Sequence, residues 1–229
     1  MRPTRPAPAS LIAALVLCAS ATPGCSPSQQ TQLRAPVRAA AHVLAAEVTD
    51  VPAGKLATTL RAGCPVPPER LRLIRVNHWG FDGKVHRGEL IAHGDAVAPL
   101  LHVLERAFGA RFPIRRMRVM AEYRGDDAAA MAADNTSAFN CRPVTGDPGK
   151  LSRHAWGLAV DINPVENPYV DVRGKVHPTA GRAHLRRDPA RPGMITEDGV
   201  VATAFREVGW HWGGTWSHPD YQHFSADGG

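Results

Sequence analysis

The sequence is poor in cysteine and in aromatic residues, and its apolar stretches are short. It has 4 Cys in 229 residues and no CxxC pair, which argues against a cysteine-based metal site. The apolar stretch Leu11–Ser20 is shorter than the ~20 residues that a membrane-spanning helix needs. No dense Lys/Arg run alternates with aromatics, so nucleic-acid binding is not expected. With 44% hydrophobic and 21% charged residues, the composition is that of a globular protein.

The N-terminal segment has the pattern of a signal peptide. Arg2 and Arg5 supply a positive start, Leu11–Ser20 an apolar core, and Ala19-Ser20-Ala21 a small-x-small cleavage site. We therefore predict a signal peptide over residues 1–21 and a secreted, cell-surface or cell-wall location. Attachment of a lipid to Cys25 is the alternative, with a leader over residues 1–24 and an anchor in the membrane.

Removal of the leader changes the charge balance. The formal charge falls from +6 to +4, with 25 basic against 21 acidic residues. A modest positive balance outside the cell fits an anionic surface such as a cell wall, although a merely soluble surface explains the charge equally well. Cys64 and Cys141 are the cysteines left outside the leader. Because thiols in an oxidising compartment usually pair, we predict a disulfide between these two.

The remaining chain divides into a linker and one domain. Residues 22–63 are rich in Ala, Pro, Gln and Ser and read as a linker, with a short helix predicted over Ala40–Val48. The folded domain is predicted over residues 64–229. Strands are expected at 71–81, 84–93, 112–123, 157–163 and 221–225, with helices after Asp95, after Asp126 and at 197–210. Without regular βαβ alternation, this order predicts an α+β fold with a small, largely antiparallel sheet and flanking helices.

Two short motifs carry the chemistry. His154 and Asp161 are separated by an odd number of residues and would point to opposite faces of one strand. Gly157 permits a bend, so His154 can lie on the incoming loop above the face that carries Asp161. In the second motif, Pro219 marks a turn that allows Asp220 to lie on the bend while His223 lies on the following strand.

These four side chains suit zinc catalysis. A catalytic zinc ion takes three protein ligands and leaves its fourth position to water. His154, Asp161 and His223 supply two nitrogens and one oxygen. Asp220 then remains as a carboxylate that is not a ligand and can remove a proton from the water.

The stretches "SRHAWGLAVD" and "DYQHF", with "GWHWGGTW" and "DNTSAFNCR" before them, resemble zinc D-Ala-D-Ala carboxypeptidases and L-alanyl-D-glutamate peptidoglycan endopeptidases. The resemblance covers roughly Cys64 to the C-terminus. It implies an α+β fold of the hedgehog/DD-peptidase type and zinc-dependent cleavage of peptidoglycan peptides. It implies His154, Asp161 and His223 as zinc ligands and Asp220 as general base, where family dipeptidases have Glu.

Three further residues come from the same comparison and from the composition of the C-terminal region. Arg142 matches a family arginine that stabilises the developing oxyanion; a structural ion pair beside Cys141 is the alternative. Ser152 resembles a position near the substrate, or serves as a loop cap. Trp216, with Trp210 and Trp212, contributes either to the core or to the wall of a substrate groove.

Other features have simpler interpretations. His211 and His218 flank the tryptophans, and a structural or surface role is expected for each. The proline-rich segment 164–195 has the length of a lid or binding loop, and its arginines, namely Arg182, Arg186, Arg187 and Arg191, are expected to be solvated.

The functional prediction is a monomeric zinc peptidase with Zn²⁺ as cofactor and peptidoglycan peptides as partners. Whether it acts as an endopeptidase or a D,D-carboxypeptidase stays open. The competing interpretation is a zinc-containing binding domain without turnover on the same fold.

Overall fold

The computed structural model describes residues 43–145 and 147–228. The predicted signal peptide, its cleavage sites and Cys25 lie outside the described residues. Within this part of the chain, no helix combines the length and apolar character needed to cross a membrane.

The helices are α1 (Val97–Gly109), α2 (Asp127–Ala132) and α3 (Val200–Glu207). The strands are β1 (Ala46–Asp50), β2 (Leu71–Trp79), β3 (Val85–His93), β4 (Arg116–Met117), β5 (Asn135–Thr136), β6 (Pro143–Val144), β7 (Asp147–Leu151), β8 (Ala159–Asp161), β9 (Tyr169–Val170), β10 (Val176–His177), β11 (His211–Trp212) and β12 (His223–Ser225). Most strand pairings are antiparallel, and among the described residues only β4 with β5 is a parallel pair of strands. The predicted α+β class with small antiparallel sheets is confirmed.

The largest sheet has the order β1-β2-β3, and its central strand β2 places buried side chains on both faces. The β2–β3 hairpin turns at the predicted Asp82-Gly83 pair, where Gly83 has a φ of +71°. Because side chains alternate along a strand, Ile74 and Val76 face one apolar cluster, together with α1 and α3. Leu71 and Leu73 face a second cluster that includes Phe139 and Ala155, close to the site described below.

The folded part of the chain begins before Cys64, which corrects the predicted linker and its helix over Ala40–Val48. Residues Ala46–Asp50 form β1, an edge strand in register with β2 from Ala46 opposite Val76 to Asp50 opposite Arg72. Leu56 is buried in the second cluster. Pairing with a long neighbouring strand and burial of Leu56 therefore outweigh the helix propensity of the alanines.

Other predicted elements differ in extent or in how they begin. The strand expected over residues 112–123 is reduced to β4, because its partner β5 is only two residues long and Met120–Tyr123 turn into a 3₁₀ helix. Asp95 lies in the 3₁₀ turn Gly94–Ala96 that precedes α1 instead of capping it. Asp126 caps α2 as predicted, since its Oδ1 accepts a hydrogen bond from Ala129 N at 3.1 Å.

A second sheet, with the order β11-β12-β8, carries the motifs. β12 runs antiparallel to β8 and brings Phe224 opposite Val160 in the first cluster. The ring of Phe224 stacks on Phe205 of α3 at 3.9 Å between centroids. One face of this sheet therefore packs on the first apolar cluster, and the other face lines a cleft.

Candidate active site

Asp161 and His223 face each other across two paired strands. Asp161 ends β8 and His223 begins β12, and the two are register partners. Asp161 Oδ1 lies 3.1 Å from His223 Nδ1, and both residues are buried. Strands distant in the sequence thus bring the two motifs to one point.

His154 approaches this pair from a short 3₁₀ helix, Arg153–Trp156. Ser152 caps the helix, with its Oγ accepting from His154 N at 3.4 Å. Gly157 ends it with a φ of +68°, and a Cβ at that position would lie 2.6 Å from His93 N. The predicted bend at Gly157 is therefore confirmed, and it allows His154 to point towards Asp161 from the incoming loop.

The hydrogen-bond partner of His154 fixes which of its nitrogens faces the cluster. Nδ1 donates to the carbonyl oxygen of Ala138, so the lone pair lies on Nε2. Nε2 is 3.1 Å from Asp161 Oδ2 and 3.3 Å from His223 Nδ1. A backbone carbonyl that orients an imidazole in this way is a frequent partner of a metal-ligating histidine.

The three side chains can hold a metal ion. Their ligand atoms all lie within 4.8 Å of one another, and all three residues are buried. A tetrahedral zinc ion with bonds of about 2.0–2.1 Å would place its ligand atoms roughly 3.3–3.4 Å apart, close to the observed separations. Two imidazole nitrogens and one carboxylate oxygen form a donor set that suits zinc.

The charges around Asp161 favour its ionised form. Burial opposes ionisation, but His154 and His223 outweigh it, and together they hold the pKa of Asp161 well below its usual range. A carboxylate that stays ionised is available as a metal ligand over the whole physiological pH range.

Asp220 lies on the turn before β12, as predicted. It forms an isolated bridge with Tyr169, and its carbonyl oxygen accepts from His223 N at 3.2 Å. Its Oδ1 is buried and has no hydrogen-bond partner among the described residues. Burial raises the pKa of Asp220 to about 7, the charge of Asp161 adds to the effect, and the charges of His223 and Arg142 partly offset it. A carboxylate with such a pKa is suited to accepting and releasing a proton near neutral pH.

A cleft of about 360 Å³ opens over the cluster. Trp216 forms part of its wall, 36% exposed, with its ring 5.6 Å from the ring of His223. Ser152 is buried and lines the cleft, but its observed contact is the cap, one of the two predicted alternatives. His218 is exposed at the rim, whereas exposed His211 pairs with Ser225 in the sheet and does not line the cleft.

Arg142 lies between the cleft and an acidic side chain. It lines the cleft, and its Nε lies 2.8 Å from Asp127 Oδ1 in an ion pair. The preceding residue, Cys141, forms the predicted disulfide with Cys64, with a Cα–Cα distance of 5.9 Å. The bridge therefore anchors the backbone immediately before Arg142.

Segment 164–195 packs against the turn that carries Asp220. Val170 N donates to Pro219 O at 2.9 Å, and Tyr169 lines the cleft. Arg187 corrects the expectation of solvated arginines, because its guanidinium donates to Ile195 O and lies 4.4 Å from the centre of the Tyr221 ring. Arg182, Arg186 and Arg191 are exposed, as expected.

Tyr169 and Asp127 are among the cleft residues that sequence reasoning missed. Tyr169 is the only tyrosine in the proline-rich segment, but nothing in the local pattern indicates the bridge to Asp220. Asp127 follows the cap residue Asp126 directly, and this doubled acidic residue is the only local signal of a second role.

Comparison with known proteins agrees with this geometry. Residues 145–226 match the family model described as D-alanyl-D-alanine carboxypeptidase. The matched segment includes the three candidate ligands and Asp220, whereas Arg142 and both disulfide cysteines lie outside it. No curated protein and no solved structure matches the chain.

The match confirms, for residues 145–226, the resemblance to the zinc D-Ala-D-Ala carboxypeptidase family. Together, the family match and the buried His–Asp–His cluster support a peptidase function and a metal-dependent site.

Proposed function

We propose that this protein is a zinc-dependent peptidase that hydrolyses peptide bonds in peptidoglycan stem peptides. The observation that carries the proposal is the convergence of His154, Asp161 and His223 beside the buried, unpartnered Oδ1 of Asp220. All four residues lie in the segment that matches D-alanyl-D-alanine carboxypeptidases. The predicted leader and positive charge agree with a role at the cell wall.

The donor set supports zinc as the metal. His154 Nε2, His223 Nδ1 and one oxygen of Asp161 would hold the ion, leaving the side towards the cleft open to substrate. Bound there, zinc supplies Lewis-acid chemistry, which polarises a carbonyl oxygen and lowers the pKa of water.

Asp220 acts as the proton acceptor. Its carboxylate lines the same cleft as the three ligands, and its Oδ1 has no competing hydrogen-bond partner among the described residues. In the ionised form it takes a proton from the attacking water, and in the protonated form it returns the proton to the leaving amine.

Arg142 stabilises the negative charge that develops on the carbonyl oxygen. Its guanidinium lines the cleft and presents several N–H donors in a planar group. Donors that are fixed before the reaction stabilise such charge without reorganising during it. Trp216 contributes an apolar wall for the peptide. Ser152 lines the cleft, and its main contribution is to hold the turn that carries His154.

A zinc-binding domain without turnover has no need for Asp220. An unpartnered buried carboxylate oxygen is costly to fold, and it is retained here beside three candidate ligands. Its presence therefore favours catalysis over the binding interpretation.

Digestion of purified peptidoglycan tests the proposal, with the released fragments identified by mass. Wild-type protein with zinc should release peptide fragments or terminal D-alanine, and the fragment masses distinguish endopeptidase from carboxypeptidase action. Asp220→Asn, a variant of nearly the same shape, serves as the matched control and should release far less. Unaltered peptidoglycan after prolonged digestion by zinc-loaded wild-type protein would contradict the proposal.

A further inference from the structure

The guanidinium of Arg142 is held from one side. Its Nε lies 2.8 Å from Asp127 Oδ1, and the two side chains are only 15% and 16% exposed. Its Nη1 donates to Pro143 O at 3.1 Å. The contact with Asp127 is an ion pair in which Nε makes no hydrogen bond to the described residues, and Pro143 O takes one Nη1 hydrogen. A guanidinium has five N–H donors, so donors remain for a substrate in the cleft.

Asp127 is itself fixed. It is the first residue of α2, directly after the cap residue Asp126. Its Oδ2 accepts a hydrogen bond from Thr145 Oγ1 at 3.4 Å, while its Oδ1 faces Arg142. One carboxylate thus connects the helix, the residue after β6 and the arginine. Both Asp127 and Thr145 also line the cleft.

We propose that Asp127 is a positioning residue that aims the guanidinium of Arg142 at the reacting carbonyl. The inference rests on the proposed peptidase function and on the role of Arg142 in it. Arginine has a long side chain with many rotamers, and charge stabilisation depends on donors that are already in place. A carboxylate 2.8 Å from Nε restricts rotation of the side chain and so limits where the Nη groups can lie.

A purely structural ion pair is the competing explanation. The disulfide at Cys141 and the hydrogen bond from Ser152 N to Arg142 O, at 3.0 Å, already fix the backbone at this point. The backbone at Arg142 is therefore restrained without the ion pair, so an ion pair that served only folding would contribute little there. The two explanations differ in whether loss of Asp127 affects turnover through Arg142 or through stability.

The experiment is a double-mutant cycle with Asp127→Asn and Arg142→Ala, measured on zinc-loaded protein with a stem peptide. Asp127→Asn should lower kcat by about tenfold to 100-fold, with KM, zinc content and Tm close to wild type. In the Arg142→Ala background the same substitution should cause no further loss. Asp126→Asn is the matched control: asparagine caps a helix as well as aspartate, so kcat should stay at the wild-type value.

A second readout separates positioning from substrate binding. A phosphinate analogue of the peptide carries a tetrahedral anion that imitates the developing charge. Asp127→Asn should bind this analogue more weakly than wild type does, while its binding of the unreacted peptide stays unchanged. If Asp127→Asn lowers Tm, Thr145→Ala replaces it in the test, because it removes only the hydroxyl that holds Asp127. This variant should show a smaller loss of kcat and of phosphinate affinity.

An unchanged kcat in Asp127→Asn, or an equal loss with and without Arg142, would overturn the inference. Wild-type protein that cleaves no peptide would instead contradict the proposed function. In that case, equal binding of the phosphinate by wild type and Asp127→Asn would overturn the positioning role as well.

Discussion

Asp161 Oδ1 and His223 Nδ1 lie 3.1 Å apart because their residues are direct partners across β8 and β12. Residues 62 positions apart in the sequence are thereby placed by backbone hydrogen bonds, with little dependence on flexible side chains. A site built on strands keeps its ligand atoms in position before a metal arrives. His154 is the exception, since it depends on a bend in a loop.

Gly157→Ala should disturb that bend. A side chain at a φ of +68° is strained by about 1–2 kcal/mol, and its Cβ would lie 2.6 Å from His93 N. We expect a lower Tm and weaker zinc binding. Gly174→Ala is the matched control, because Gly174 has a φ of +74° but open space around it. The control should lower stability modestly and leave zinc affinity unchanged. Equal zinc affinity in both variants would refute this account of the bend.

Asp220→Asn should retain zinc and lose turnover. The amide keeps the shape of the side chain but cannot accept the proton, and general-base contributions are roughly 10² to 10⁴ in rate. Metal analysis and steady-state kinetics measure the two properties on the same sample. The acidic limb of the kcat/KM profile should vanish or move in the residual activity. Full activity with zinc bound would mean that the base is elsewhere, and His218 at the rim would be tested next.

The disulfide should contribute strongly to stability. Cys64 and Cys141 are 77 residues apart, and a bridge that closes a loop of this size contributes about 2–5 kcal/mol. Denaturation of the double variant Cys64→Ser/Cys141→Ser should show a loss of this order in the unfolding free energy. Turnover should fall too, because Arg142 follows Cys141. A double variant as stable as wild type would show that packing alone fixes this region.

Asp134 should make stability depend on pH. Burial raises the pKa of Asp134 to about 7, and the hydrogen bond shared with Glu166 adds to the shift. A raised carboxyl pKa means that the folded state binds the proton more tightly than the unfolded state does. The stability that Asp134 contributes is therefore largest below about pH 4 and is lost as the pH rises through about 7. Asn also suits the left-handed backbone at this position, where φ is +55°.

Asp134→Asn should therefore lose less stability between about pH 5 and about pH 8 than wild type does, as measured by Tm. Exposed Asp198→Asn should keep the wild-type pH dependence. An Asp134→Asn profile parallel to that of wild type would show that Asp134 ionises in the folded state as readily as in the unfolded one.

The sequence predicts the features that depend on local patterns. The alternation in Leu71–Phe81, the Asp82-Gly83 turn and the bend at Gly157 are all determined by neighbouring residues, and the structure confirms them. The three candidate ligands and Asp220 could be grouped because their two motifs have a defined order and chemistry. The disulfide followed from counting the cysteines outside the leader.

Features that depend on contacts distant in the sequence could not be predicted. β1 exists because β2 offers it a paired edge, and its own residues do not indicate a strand. The sequence around Arg187 indicates a solvated loop arginine, and only the fold brings Tyr221 against its guanidinium. The pairing of Asp127 with Arg142 joins residues 15 positions apart through the fold and leaves no local pattern.

The central claim is that a single zinc ion, held by His154, Asp161 and His223, is required for peptide cleavage. The most direct measurement is zinc titration of metal-free protein with a stem peptide as substrate. Activity should rise in proportion to zinc and saturate near one ion per chain, while His154→Ala and His223→Ala should bind little zinc and show no rise. Full zinc retention by both variants, or cleavage that does not depend on zinc, would contradict the account.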